Sequence, residues 1–234
     1  MAISSEFSTA AARTRAAAHS VRIIGGAWKR THLPVLDMGE LRPTPDRVRE
    51  TLFNWLGQGL DGLVCLDLFA GSGALGFEAA SRGAARVLMV ERQLRIVQQL
   101  RCNREKLAAQ TIEIVHADAL KFACGLAAGS FDLIFLDPPF ATNLLEPALK
   151  LCMPLVRIGG AIYIESSRSL ARGKQLVLPT DAISTGDPSG LALTGEQMEW
   201  SVVRHGRAGA VHYHLLRRLA SQAGDILPSD GETA

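Results

Sequence analysis

Asp137-Pro138-Pro139-Phe140 follows directly on the apolar run Phe131 to Leu136, which places four residues able to hold a planar amino group at the end of an expected strand. An amine attached to a nucleobase ring is a poor nucleophile, because its lone pair is delocalised into the ring. Two acceptors change that. With the Asp137 carboxylate and the Pro138 carbonyl each taking one amino hydrogen, the nitrogen is drawn towards tetrahedral geometry and its lone pair faces an incoming electrophile. Pro138 and Pro139 restrict the backbone and remove competing donors, so the carbonyls are pre-aimed. Phe140 offers a flat face on which a base can stack, a contact worth about 1–3 kcal/mol, and a base within a helix or loop stack must be extruded to reach it. The chemistry these residues suit is methylation of a nucleobase amine. The methylated, cationic nitrogen sheds its proton readily to Asp137 or water, so no strong base is required.

A methyl donor needs its own seat. Leu66-Asp67-Leu68-Phe69-Ala70-Gly71-Ser72-Gly73-Ala74-Leu75-Gly76 reads as a strand, a glycine-rich turn and the start of a helix, and Glu91 closes the next strand about 20 residues on. Missing side chains let backbone amides approach a ligand, and a carboxylate at the position of Glu91 can accept both hydroxyls of a ribose. Gly71-x-Gly73-x-x-Gly76 by itself also fits a dinucleotide fingerprint. Asp67, however, would repel a pyrophosphate but can hold the amino group of a methionine moiety, directly or through water, and no arginine-rich pyrophosphate cradle is evident. Asp118, after the third strand, can accept from an adenine amino group or simply cap a helix. S-adenosylmethionine is therefore the expected cofactor, held by Asp67, Phe69, Gly71, Ser72, Gly73, Gly76, Glu91 and Asp118. His116 has no clustered Cys or His partner, and no metal is expected.

The elements that must carry these residues are legible in outline. Beyond Gly62, apolar strands at Leu63 to Phe69, Arg86 to Glu91, Thr111 to His116, Phe131 to Leu136 and Ala161 to Glu165 alternate with helical stretches, which predicts a parallel sheet covered on both faces. Gln197 to Arg204 and Ala210 to Arg217 add an antiparallel hairpin, completing an α/β, mostly parallel seven-stranded sheet. Ahead of it, Val21 to Val35 predicts a small hairpin around Gly25-Gly26, and Thr44 and Pro45 predict the cap and first turn of a helix from Asp46 to Leu56.

At 234 residues, 47 % hydrophobic and 21 % charged, the chain suits one sizeable domain with an appendage. The expected organisation is a disordered tail over 1–20, a basic hairpin and helix over 21–60, a catalytic domain over 61–220 and a second disordered tail over 221–234. The Ala/Ser/Arg-rich leader lacks the apolar core of a secretory signal, although its composition overlaps with organelle transit peptides. No apolar run reaches the roughly 18 residues of a membrane span. Cys65, Cys102, Cys124 and Cys152 form no Cys-x-x-Cys pair, consistent with reduced thiols in the cytoplasm. The net charge of +2 is small, but basic residues bunch near the N-terminus. Arg22, Lys29, Arg30, Arg42, Arg47 and Arg49 are the candidates for nucleic-acid phosphates, and a monomer is the default expectation.

These residues together resemble the bacterial 16S ribosomal RNA guanine-N2 methyltransferases, class I enzymes with a Rossmann-like fold. The resemblance runs from Arg22 to Arg217. It rests on Arg22-Ile23-Ile24-Gly25-Gly26-x-Trp28, on the Leu66 to Gly76 turn, on Asp137 to Phe140 and above all on Leu41-Arg42-Pro43-Thr44-x-x-Arg47-Val48-Arg49-Glu50-Thr51-Leu52-Phe53-Asn54-Trp55-Leu56, of which the Arg42 to Leu56 string is the specific part. It implies N2-methylation of a guanine in 16S ribosomal RNA, on an assembling small-subunit particle, with the hairpin and the Arg42 to Arg49 segment against the RNA. Adenine N6 is the alternative target, and a non-catalytic assembly factor the alternative class. Where such enzymes often carry two nearby acids after the fifth strand, Glu165-Ser166-Ser167 keeps only the first.

Overall fold

Continuous apolar runs decide the architecture. Phe131, Leu133, Ile134, Phe135 and Leu136 are all buried, so this strand is covered on both faces, as a central parallel strand must be. The computed structural model describes residues 20–36, 44–139, 142–170, 175–178 and 198–220. The expected tails over 1–20 (apart from Ser20) and 221–234, together with Arg42 and Phe140, lie outside the described residues.

The main sheet contains β3 (Val64–Asp67), β4 (Arg86–Glu91), β5 (Ile112–His116), β6 (Phe131–Leu136), β7 (Val156–Ser166), β8 (Gln175–Leu178), β9 (Met198–Ala208) and β10 (Val211–Arg218), in the spatial order β5-β4-β3-β6-β7-β10-β9-β8. The first five are parallel, and β10, β9 and β8 are antiparallel. The seven expected strands are present, and the short β8 extends the sheet by one. Its residues, Gln175-Leu176-Val177-Leu178, pair antiparallel with β9. Strand β7 starts five residues earlier than expected, and its pairing with β6 shifts register between Val156 and Ala161, where Gly159 adopts φ +80°.

Helices α1 (Asp46–Leu56), α2 (Ala74–Ser81) and α3 (Leu94–Lys106) send Leu52, Phe53, Phe77, Val97 and Leu100 into the core on one face of the sheet. Helices α4 (Ala119–Cys124) and α5 (Leu145–Cys152) send Ala123, Ala148 and Cys152 into the other. Helix α1 ends where Gly57 turns left-handed at φ +95° and its N–H bonds Asn54. Its start differs from expectation. Pro45, not Thr44, is the capping position, and no side chain caps it.

The N-terminal hairpin pairs β1 (Ser20–Arg22) with β2 (His32–Pro34). It is fastened to α2. The fully buried Glu78 accepts the Ile24 and Gly25 amides at 2.7 and 2.8 Å and Arg82 Nε at 2.7 Å, and Ser81 Oγ takes the Trp28 amide and donates to the Gly25 carbonyl. Arg49 completes the joint from α1. It donates to the Arg22 and Thr44 carbonyls and to Asp46, and faces Glu78 at 3.5 Å. With 1 % of its surface exposed, Arg49 does not present a charge to RNA as the sequence led us to expect. The basic run hides an internal ion pair whose acid lies 29 residues away in the chain. Arg22, Lys29, Arg30 and Arg47 are exposed, with Arg22 bridged to Asp46 at 2.7 Å.

Candidate active site

Parallel strands all present their carboxyl ends to one edge, and here each delivers an acid to it. In spatial order these are Asp118 after β5, Glu91 ending β4, Asp67 ending β3, Asp137 after β6 and Glu165 near the end of β7. The chain reverses its direction of sheet growth between β3 and β6, and the crevice at such a switch point is where open α/β sheets bind ligands. Asp67 and Asp137 flank it, through the pairing of Asp67 with Phe135, two residues before Asp137.

On the Asp67 side, Gly71 and Gly73 adopt φ +49° and +79°, which carries the chain tightly from β3 into α2. Glu91 ties this turn down, with one oxygen accepting the Gly71 amide at 3.1 Å and the other the Gln93 amide at 2.7 Å. Each carboxylate oxygen keeps a second lone pair able to accept a further hydrogen bond. Asp118 caps α4 through the Lys121 amide at 3.1 Å, so the helix-cap reading holds for one of its oxygens. Added side chains would crowd the packing beneath the turn. A Cβ on Gly73 would lie 2.7 Å from Leu100 and Phe77, and one on Gly76 would lie 2.9 Å from Met89 and 3.1 Å from Asp67. Gly73→Ala, strained in φ as well as crowded, is expected to weaken S-adenosylmethionine binding roughly tenfold or more, about 1.4 kcal/mol, by calorimetric titration. Unchanged affinity would show that the turn does not cradle the ligand.

Asp67 is buried at 2 % exposure and accepts the Gly76 amide at 3.0 Å. Burial pushes its carboxyl up to about 7; the Gly76 amide opposes the rise and the Glu91 charge adds to it. A cationic ligand beside it would restore the ionised form, so the site fits the ammonium and sulfonium of S-adenosylmethionine. In the unfolded chain the same carboxyl ionises near 3.8. Folding therefore takes up a proton between these values, and this contribution to stability is complete below about pH 4 and is lost as pH rises through 7. Urea unfolding of the cofactor-free protein should lose about 2–3 kcal/mol between pH 5 and 7.5, relative to Asp67→Asn in parallel. Equal slopes for the two proteins would refute the assignment.

On the other side, the Asp137 carboxyl is held well above the ordinary carboxylate range, first by burial, then by the charges of Glu165 and Asp67, against a lowering bond from Thr44. Glu165 is raised too, chiefly by burial. Thr142 fixes the Pro139 carbonyl through both its amide, at 3.0 Å, and its hydroxyl, at 2.6 Å, which pins the turn one residue beyond the Pro138 carbonyl. Sequence reasoning missed Thr142, Thr44, Tyr163 and Glu78. Thr142 had a signal, since a threonine three residues after proline can close such a turn. The others become neighbours only through long-range packing. Among the described residues no cluster is arranged to hold a metal ion, and no helix is long and apolar enough to cross a membrane.

Comparison with known proteins gives a consistent picture. Residues 21–179 match the family model described as Conserved hypothetical protein 95. The chain is 38 % identical over 205 residues to Ribosomal RNA small subunit methyltransferase D of Escherichia coli K12, covering 88 % of this chain and 93 % of that protein. Identity to the Haemophilus influenzae protein of the same name is 36 % over 200 residues, covering 83 % and 92 %. A solved Escherichia coli structure described as "Putative methyltransferase yhhF" superposes with a TM-score of 0.67 at 37 % identity, over 86 % of this chain and 99 % of the other. The fold is that of the class I methyltransferases.

Proposed function

Because the chain belongs to the Conserved hypothetical protein 95 family, and with it to the small-subunit ribosomal RNA methyltransferases D, we infer that it methylates the exocyclic N2 amine of a guanine in 16S ribosomal RNA. The observation that carries this reading is the line of five acids along one sheet edge, with Asp137 and its fixed Pro138-Pro139 turn next to the switch point. S-adenosylmethionine, when bound, supplies a methyl group on a positively charged sulfur.

The chain's own residues do the rest. Asp67 would hold the cofactor's ammonium, Glu91 its ribose hydroxyls and Asp118 its adenine amine, with the Gly71 to Gly76 turn supplying backbone amides. Asp137 and the Pro138 carbonyl accept the two hydrogens of the guanine amine and orient its lone pair, with Phe140 as the stacking face. Asp137 then accepts the proton released from nitrogen. An acidic edge repels a polyanion, so the RNA must be held from outside it. Lys29, Arg30 and Arg47, exposed on the appendage, supply that hold, together with Arg22 and Arg42. The enzyme works as a cytoplasmic monomer, and its substrate is the RNA of an assembling small subunit.

Transfer of labelled methyl to unmethylated small-subunit particles and to naked RNA, followed by nucleoside analysis, tests the proposal. N2-methylguanosine is the expected product. N6-methyladenosine would keep the mechanism and overturn the base, whereas cofactor and RNA binding without transfer would favour an assembly factor.

A further inference from the structure

Thr44 stands between two carboxylates with one hydrogen to give. Its hydroxyl oxygen lies 3.3 Å from Asp137 Oδ2 and 3.2 Å from Glu165 Oε1, and the buried Tyr163 hydroxyl donates to the same Glu165 oxygen at 2.8 Å. A hydroxyl donates once and otherwise accepts. Both threonine contacts are hydrogen bonds only when one carboxyl is protonated and donates to Thr44 while Thr44 donates to the other. The surroundings favour that state. Thr44, Tyr163 and Glu165 are buried, and the carboxyls acting most strongly on Asp137, those of Glu165 and Asp67, each favour its protonated form whenever they are ionised. Carboxylates in such a setting share a proton. Tyr163 and Glu165 come from β7, Asp67 from β3, and Tyr213 of β10 stands opposite Glu165 in the sheet register.

We propose that Thr44 is the positioning residue that decides which carboxylate carries the shared proton, moving it from Asp137 to Glu165 so that Asp137 meets the amine ionised. In this step the bond from Asp137 Oδ2 to its hydrogen breaks as that hydrogen bonds to Thr44 Oγ1. The original Thr44 hydrogen leaves for Glu165 Oε1. The pair keeps one negative charge and Thr44 ends as a hydroxyl. After methyl transfer the amine N–H bond breaks, its proton goes to Asp137, and the partly exposed edge of that residue releases it to water. The appendage thereby contributes to the amine site itself, since Arg49 Nε anchors the Thr44 carbonyl at 3.3 Å. The role in turnover rests on the amine methylation proposed above, whereas the proton sharing belongs to the protein alone.

Two substitutions separate this role from packing. Thr44→Val keeps the branched shape without the hydroxyl, and Thr44→Ser restores the hydroxyl. Infrared titration of the cofactor-free protein, labelled at aspartate carboxyls, should show the Asp137 midpoint rising by about one unit or more in Thr44→Val, returning in Thr44→Ser, and falling in Glu165→Gln, where a negative neighbour is lost. In methyl transfer, Thr44→Val should lose about tenfold or more in kcat with KM for RNA within about twofold, and its acid limb should move to higher pH. An unchanged Asp137 titration with kcat within about twofold would overturn the proposal. Should Thr44→Val not fold, Thr44→Ala read against Thr44→Ser takes its place, and an Asp137 midpoint that is the same in both would overturn the proposal, while an unmoved midpoint in Glu165→Gln would count equally against the shared proton. A wild-type protein that methylates no RNA would defeat the substrate assignment and leave the infrared result to decide the proton sharing.

Discussion

Asp137→Ala should abolish nearly all methyl transfer, lowering kcat by about a thousandfold, while the dissociation constant for S-adenosylmethionine stays within about threefold. Alanine leaves the Pro138 carbonyl as the lone acceptor. One acceptor cannot hold both amino hydrogens, so the lone pair stays conjugated with the ring, and the released proton has no seat beside it. Asp137→Asn, which retains an acceptor oxygen but not the proton site, should fall between the two, roughly ten- to a hundredfold below wild type. Single-turnover rates with saturating enzyme in excess over RNA separate this chemical defect from weakened binding. A thousandfold loss that comes mainly from KM would move Asp137 from the amine to the binding of RNA.

The parts of the site that are local in the chain are legible in the amino-acid sequence. Asp137 to Pro139 close an apolar run, and a strand that ends in two prolines can only present its last carboxylate at a sheet edge. Gly71 and Gly73 announce their left-handed backbone by being glycine. Glu91 lies at a strand end, where its carboxylate meets the turn after the neighbouring strand. What the sequence conceals depends on pairing across long separations. Thr44 looks like a helix cap because it precedes Pro45 and Asp46, yet the 93 and 121 residues separating it from Asp137 and Glu165 vanish in the fold. Arg49 looks like one more cation in a basic run, because nothing near it in sequence identifies Glu78 as its buried partner. The order of the strands, which puts Asp67 beside Asp137, is likewise a property of the whole sheet.

Glu78→Ala should be the most damaging substitution for stability, costing about 3–5 kcal/mol in urea unfolding. The side chain is fully buried and serves two backbone amides and Arg82, with Arg49 at 3.5 Å. Removing it leaves a guanidinium with 1 % exposure facing no acid but the more exposed Asp46, and two amides without acceptors. Glu78→Gln, which keeps one acceptor and the volume, should lose less. Hydrogen exchange of the Ile24 and Gly25 amides should accelerate in both variants before that of β6. A loss under about 1 kcal/mol for the alanine variant would mean that the hairpin is held by Ile23 and Leu33 in the core, with the polar joint incidental.

The joint between hairpin and helix also bears on modularity. Gly26 stands with its prospective Cβ 1.8 Å from the Ser81 carbonyl oxygen, and Ala27 donates to that same carbonyl at 2.7 Å. The two backbones are thus in direct contact, with no side-chain layer to absorb a mismatch. A hairpin transplanted from another enzyme would have to bring the glycine, and the recipient helix would need an acid and a serine three residues apart. The element proposed to hold the RNA and the element proposed to cradle the methyl donor are therefore not interchangeable parts. New substrate preferences in this scaffold should be reachable by resurfacing the hairpin in place, and not by swapping it.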